Sequence, residues 1–132
     1  MEKNIRVRTG KITYYGNGMI KFILKDGTEI EKDDIHEIHR TIDELTGGKK
    51  HSILTDARCE AKASKEARDY ASSRSGERNT VAEAILVRST SMKLLANFYI
   101  KFHKPKVPTK MFDSEDKAVA WLDKFAPALR AS

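Results

Sequence analysis

The sequence predicts an α/β domain built on a mixed β-sheet with helices mainly on one face. Three observations carry this. Two β-rich runs, Ile12 to Tyr15 and Met19 to Leu24, flank Gly16-Asn17-Gly18, which is a hairpin signal. Val81 to Val87 is an apolar run broken only by Glu83, the pattern of a strand buried on both faces and paired in parallel. Between them, an apolar stretch from Ser52 to Asp56 leads through a loop into a helix opening at Ser64, and parallel strands need such a crossover.

In the first third, Ile5 and Val7 begin a strand. Ile20, Phe22 and Leu24 alternate with Lys21, Ile23 and Lys25, so one face of the hairpin is buried. Lys25-Asp26-Gly27-Thr28 is a second tight turn, after which Thr28 to Glu31 pairs back briefly. Ile35, Ile38, Ile42 and Leu45 recur at helical spacing and form one apolar stripe. Asp33 or Asp34 caps that helix and Gly47-Gly48 ends it.

In the Ser64 helix, which runs to about Ser73, the inner face is Ala63, Ala67, Tyr70 and Ala71. Ser72 to Thr80 is polar and reads as loop. Ser89-Thr90-Ser91 caps a helix from about Ser91 to His103, stopped by Lys104-Pro105. Within it Lys93, Asn97, Lys101 and Lys104 form a narrow polar stripe, and nearly everything else is apolar. Leu95, Tyr99 and Phe102 are expected to face the sheet. Leu94 and Phe98 are then left over, covered by Trp121 or Phe125 or exposed to a second subunit or an acyl chain. Thr109 to Phe112 is a short edge strand. Asp113 or Ser114 caps a last helix with the face Ala118, Trp121, Leu122 and Phe125, closed by Pro127. The whole is expected to be one domain over 1–132, a β-hairpin region at about 5–30 and an α/β core at about 33–126.

Composition narrows the function classes. An apolar share of 39% and a charged share of 33% fit a soluble globular protein with a core. No apolar run is long enough to span a bilayer, and Met1 to Asn4 lacks the apolar core of a signal peptide. The one cysteine, Cys59, excludes an internal disulfide, so a cytoplasmic setting is expected. The net charge of +6 is concentrated in residues 51–112, where twelve Lys/Arg face six Asp/Glu. Such a field favours anionic partners.

The candidate site is the edge where these strands end. Asp56 and Arg88 close two neighbouring strands, flanked by Arg58 and Ser89, and could pair across the edge where α/β sheets bind ligands. Ser64 opens a helix whose free amides attract anions, with Lys65 and Arg68 beside it, so it is a candidate anion or phosphorylation site as well as an ordinary cap. Cationic neighbours could activate Cys59, but no partner histidine is placed for it. His36 and His39 lie one turn apart without the further ligands a metal needs. No catalytic residue, metal site or cofactor is assigned. Nucleic acid is not expected as a partner, because no recognised RNA motif accompanies the basic charge.

The element order resembles the STAS domain, and more closely the stand-alone sporulation anti-sigma factor antagonists of bacteria. The resemblance rests on the strand ending in Asp56 and the helix at Ser64, on the buried strand Ala82 to Val87, and on Pro108-Thr109-Lys110-Met111-Phe112 followed by Ala118-Val119-Ala120-Trp121-Leu122. It implies a non-catalytic regulatory or ligand-binding module of the bacterial cytoplasm. It further implies phospho-regulation at Ser64, with a kinase or anti-sigma-like protein as partner. The arrangement is also similar to lipid-binding CRAL-TRIO domains, which implies a small anionic or lipid ligand. A homodimer through Leu94 and Phe98 and a small enzyme using Asp56, Arg88 or Cys59 are the remaining alternatives.

Overall fold

A computed structural model describes residues 2–74, 79–103 and 106–130. The chain runs β1 (Lys3–Val7), β2 (Gly10–Tyr14), β3 (Met19–Leu24), β4 (Glu29–Ile30), α1 (Lys32–Thr46), β5 (His51–Asp56), β6 (Lys62–Ala63), α2 (Lys65–Arg74), β7 (Thr80–Leu86), α3 (Thr90–His103), β8 (Thr109–Phe112), α4 (Glu115–Asp123) and α5 (Ala126–Arg130). Six strands form one mixed sheet in the order β1-β2-β3-β5-β7-β8. The β1-β2-β3 meander is antiparallel, and β3, β5, β7 and β8 are mutually parallel. The expected parallel neighbours β5 and β7 are therefore paired, with α2 in the crossover between them. Part of the loop expected between α2 and β7 (75–78) and the expected stop of α3 at Lys104-Pro105 lie outside the described residues.

Alternation along β5 divides the core in two. Ile53 joins Ile12, Ile20 and Phe22 beneath Ile38 and Ile42 of α1. Its neighbour Leu54 joins Ala82, Ala84, Leu86 and Phe112 beneath Ala118 and Leu122 of α4. Adjacent residues of a strand point to opposite faces, so α1 and α4 lie on opposite sides of the sheet. Most of the helical cover is therefore on the α1 face, as expected, and α4 covers the other. The reason is on β7: Ala82 and Ala84 are too small to fill that face themselves, and they leave room for α4 to sit close.

Local signals set the boundaries of α1. Gly47 takes the left-handed conformation that stops the helix, with φ 64°. Its N-cap is Glu31, two or three residues earlier than the expected aspartates. Asp34 still serves the terminus, because its carboxylate accepts the Glu31 N–H at 2.8 Å. The Asp34 carboxylate also accepts the Arg8 guanidinium at 2.7 Å from Nε, which ties α1 to the end of β1 and holds the acid below the usual carboxylate range.

Three expectations are corrected. Residues 28–31 do not pair back on the hairpin: β4 pairs in parallel with β6, and the two form a separate two-stranded sheet. Pro127 does not close the chain's helical structure, since it is the second residue of α5, where its missing N–H costs nothing. Leu129 of α5 then reaches the β2–β3 turn, where a Cβ on Gly18 would come within 2.9 Å of it. Finally, Leu95 does not face the sheet and is 72% exposed. The side chains of Tyr99 and Phe102 lie outside the described residues.

A groove between two helix N-termini at the parallel strand ends

The carboxyl end of β5 splits the expected site into two clusters. Asp56 does not pair with Arg88. It accepts Arg58 through both oxygens, at 3.0 Å from Nε and 2.7 Å from the terminal nitrogen. Arg58 then reaches Glu115, at 3.4 Å, and Glu115 holds Lys21 at 2.9 Å. Lys21 is level with Leu54 in the sheet, so this network belongs to the α4 face. The Arg58 guanidinium keeps Asp56 well ionised, below the usual carboxylate range. A carboxylate saturated by a bidentate arginine is a structural anchor.

The second cluster lies over the opposite face. The segment after Asp56 folds back along the β3–β4 turn. Gly27 N–H donates to the Glu60 carbonyl at 2.6 Å, Glu60 N–H to the Asp26 carboxylate at 2.8 Å, and Lys62 N–H to the Thr28 carbonyl at 3.0 Å. This lays the 57–63 loop beside the sheet and opens a groove of about 1070 Å³ between the first turns of α2 and α3. Ile85, Met92 and Met111 supply its apolar surface, and Lys62, Arg68 and Arg88 its cations. Arg88 pairs only loosely with Glu60, at 3.7 Å, and its side chain is half exposed.

Cys59 lines the same groove, but its thiol donates to the Leu24 carbonyl at 3.5 Å, and burial pushes its pKa up. It is poorly set up as a nucleophile. With Asp56 committed to Arg58 on the α4 face, the three residues of the enzyme alternative do not converge.

Ser64 caps α2: its Oγ accepts the Ala67 N–H at 3.0 Å, and Ala67 is fully buried. Of its two basic neighbours only Arg68 lines the groove. Lys65 faces elsewhere and pairs with Asp69 at 2.7 Å, one turn along α2. Ser89 caps α3 in the same way, with its Oγ accepting the Met92 N–H at 3.1 Å. His36 hydrogen-bonds Tyr70 at 3.0 Å and meets its ring at a tilt, joining α1 to α2. Among the described residues no cluster of metal ligands occurs.

Several residues of this region carried no sequence signal as site residues. Met92 and Met111 read as generic apolar positions, and only the tertiary fold brings them to one groove. Glu83 was visible as the single break in an apolar strand. It shares its face with Ile53, Thr109 and Ile85, and the first two are level with it in the neighbouring strands. No described side chain bonds or pairs with its carboxyl, and burial raises its pKa. The unfolded chain then loses this proton at a lower pH than the folded one. From about pH 4.3 upward, stability should fall by at most about 1.4 kcal/mol per pH unit until the folded pKa is reached. We expect Glu83→Gln to remove this decline, so that its unfolding midpoint gains on the wild type as pH rises from 5 to 8. Parallel midpoint curves for the two proteins across that range would refute the assignment.

The fold is that of the STAS-like, SpoIIAA-like class. An uncharacterised protein of the DUF3478 family from Shewanella loihica PV-4, described as having a SpoIIAA-like fold, superposes with a TM-score of 0.56 at 14% identity, over 92% of each chain. The chain belongs to the family described as Domain of unknown function (DUF7793), whose model matches residues 13–126. A protein of unknown function from Arthrobacter sp. FB24 is 26% identical over 85% of this chain and 97% of that one, with a TM-score of 0.32. No curated protein matches.

Proposed function

We propose that the chain is a non-catalytic binding module that takes a small anionic amphiphile into the groove between α2 and α3. The observation that carries this is the lining: apolar Ile85, Met92 and Met111 with Arg68, Arg88 and Lys62, at the carboxyl ends of β5 and β7. Ligands of open α/β sheets bind at this edge. The volume is at the upper end of what small-molecule sites occupy. Two capped helix N-termini add their dipoles to the arginine charges. The apolar wall would take a hydrocarbon or ring, and the cations a carboxylate, phosphate or sulfate.

Titration calorimetry with dodecanoate, dodecyl phosphate and uncharged dodecanol tests this reading. The two anions should bind, and the alcohol should bind at least about tenfold more weakly, the loss of roughly 1.4 kcal/mol of charge pairing. Arg88→Glu should weaken the anions by a similar factor while leaving the unfolding midpoint in place, because among the described residues Arg88 pairs with Glu60 alone, through a long surface contact. Equal binding of all three probes, or of none, would overturn it.

A further inference from the structure

Helix α3 is mounted with its polar side against the sheet and its apolar side outward. Asn97 holds the edge strand: its amide nitrogen donates to the Met111 carbonyl at 3.1 Å, and its oxygen accepts the Met111 N–H at 2.8 Å. Lys93, one turn earlier, pairs with Asp113 at 3.3 Å. At about 100° per residue, Leu95 lies about 180° from the midpoint of Lys93 and Asn97. Accordingly Met92 is 47% exposed, Leu94 62%, Leu95 72% and Phe98 63%, and these are the exposed large apolar side chains among the described residues. Trp121 and Phe125 do not cover them. Trp121 meets the Phe112 ring at a tilt and the Phe125 ring edge-on, at 5.7 and 4.9 Å between ring centres, within the α4 core.

The sequence segment that carries this face has charge of one sign. From Ala84 to Phe112 the sequence carries six Lys/Arg and no Asp/Glu. Arg88 and Lys93 have acidic partners in Glu60 and Asp113, both from outside that stretch. Lys101, Lys106 and Lys110 are exposed. We propose that α3 seats on an anionic membrane surface, with Met92, Leu94, Leu95 and Phe98 entering the boundary between headgroups and acyl chains and the lysines meeting the headgroups. An apolar helix face bordered by cations is the pattern of an interfacial helix. A second copy would bring the same basic segment against this one, so the charges would oppose such a dimer.

The test is co-sedimentation of the full chain with vesicles of pure phosphatidylcholine and with vesicles about one-third phosphatidylglycerol. Retention is expected on the anionic vesicles alone, and it should weaken as salt rises from about 0.05 to about 0.5 M. Leu95→Glu combined with Phe98→Glu should reduce it at least tenfold. Both positions are exposed, so circular dichroism and the unfolding midpoint should not change. Lys101→Glu with Lys110→Glu should also reduce retention while leaving the apolar face intact. Absence of retention on anionic vesicles, equal retention on both vesicle types, or retention unaffected by either pair of substitutions would overturn the proposal. So would a lipid-free dimer in sedimentation velocity that the Leu95/Phe98 variant dissolves, which would assign the face to a second copy.

Discussion

Leu54→Ala is expected to lower the free energy of unfolding by about 2–5 kcal/mol. Leu54 is fully buried at the centre of β5, level with Lys21 on one side and Ala84 on the other. It fills the space beneath Ala118 and Leu122 of α4. Its neighbours on β7, Ala82 and Ala84, are already minimal and cannot expand into the vacated volume, so the cavity should persist. Urea unfolding followed by circular dichroism measures the effect. The midpoint should fall with the slope unchanged, since the surface exposed on unfolding stays the same. A loss below about 1 kcal/mol would mean that α4 settles onto the sheet, and the packing described here would be wrong.

The second large effect is expected from Gly10→Ala. Gly10 opens β2 and is level with Val7 of β1 and Leu24 of β3. A Cβ there would lie 2.0 Å from the Ile23 carbonyl oxygen and 2.9 Å from the Phe22 ring. The first contact is with the backbone of the central hairpin and cannot be relieved by a rotamer change. We expect a loss of about 3 kcal/mol, at the upper end of the cost of overpacking. Hydrogen exchange gives a local reading, because the Lys25 N–H donates to the Thr9 carbonyl at 2.8 Å beside this site. That amide should lose protection before those of β5 and β7. A midpoint within 0.5 kcal/mol of the wild type would show that the meander tolerates a side chain here.

Much of the fold was legible because the signals were local. The hairpin followed from Gly16-Asn17-Gly18, and α1 from the spacing of Ile35, Ile38 and Ile42 with Gly47 behind it. The parallel pairing of β5 and β7 followed from the crossover between them. The caps at Ser64 and Ser89 were legible for the same reason, since a serine before a helix bonds an amide three residues on. The site was only partly legible. Arg68 and Arg88 were singled out and do line the groove, whereas Met92, Met111 and Glu83 were not, because an apolar residue or a lone acid has no meaning until its neighbours are known.

By itself, then, the sequence determined the element types, their order and the mixed sheet, because spacing, turn residues and caps act within a few residues. Only the tertiary structure decided partners. Asp56 binds Arg58 instead of Arg88 because α4 delivers Glu115 to the same arginine and fixes that network on one face. Likewise α3 carries an apolar arc that reads as a core face, yet it presents that arc outward. The edge strand β8 leaves the N–H and C=O of Met111 to be satisfied, and the Asn97 amide meets both. Backbone groups at a sheet edge need a hydrogen-bonding partner, and this need set the rotation of the helix against the preference of its apolar side chains for burial.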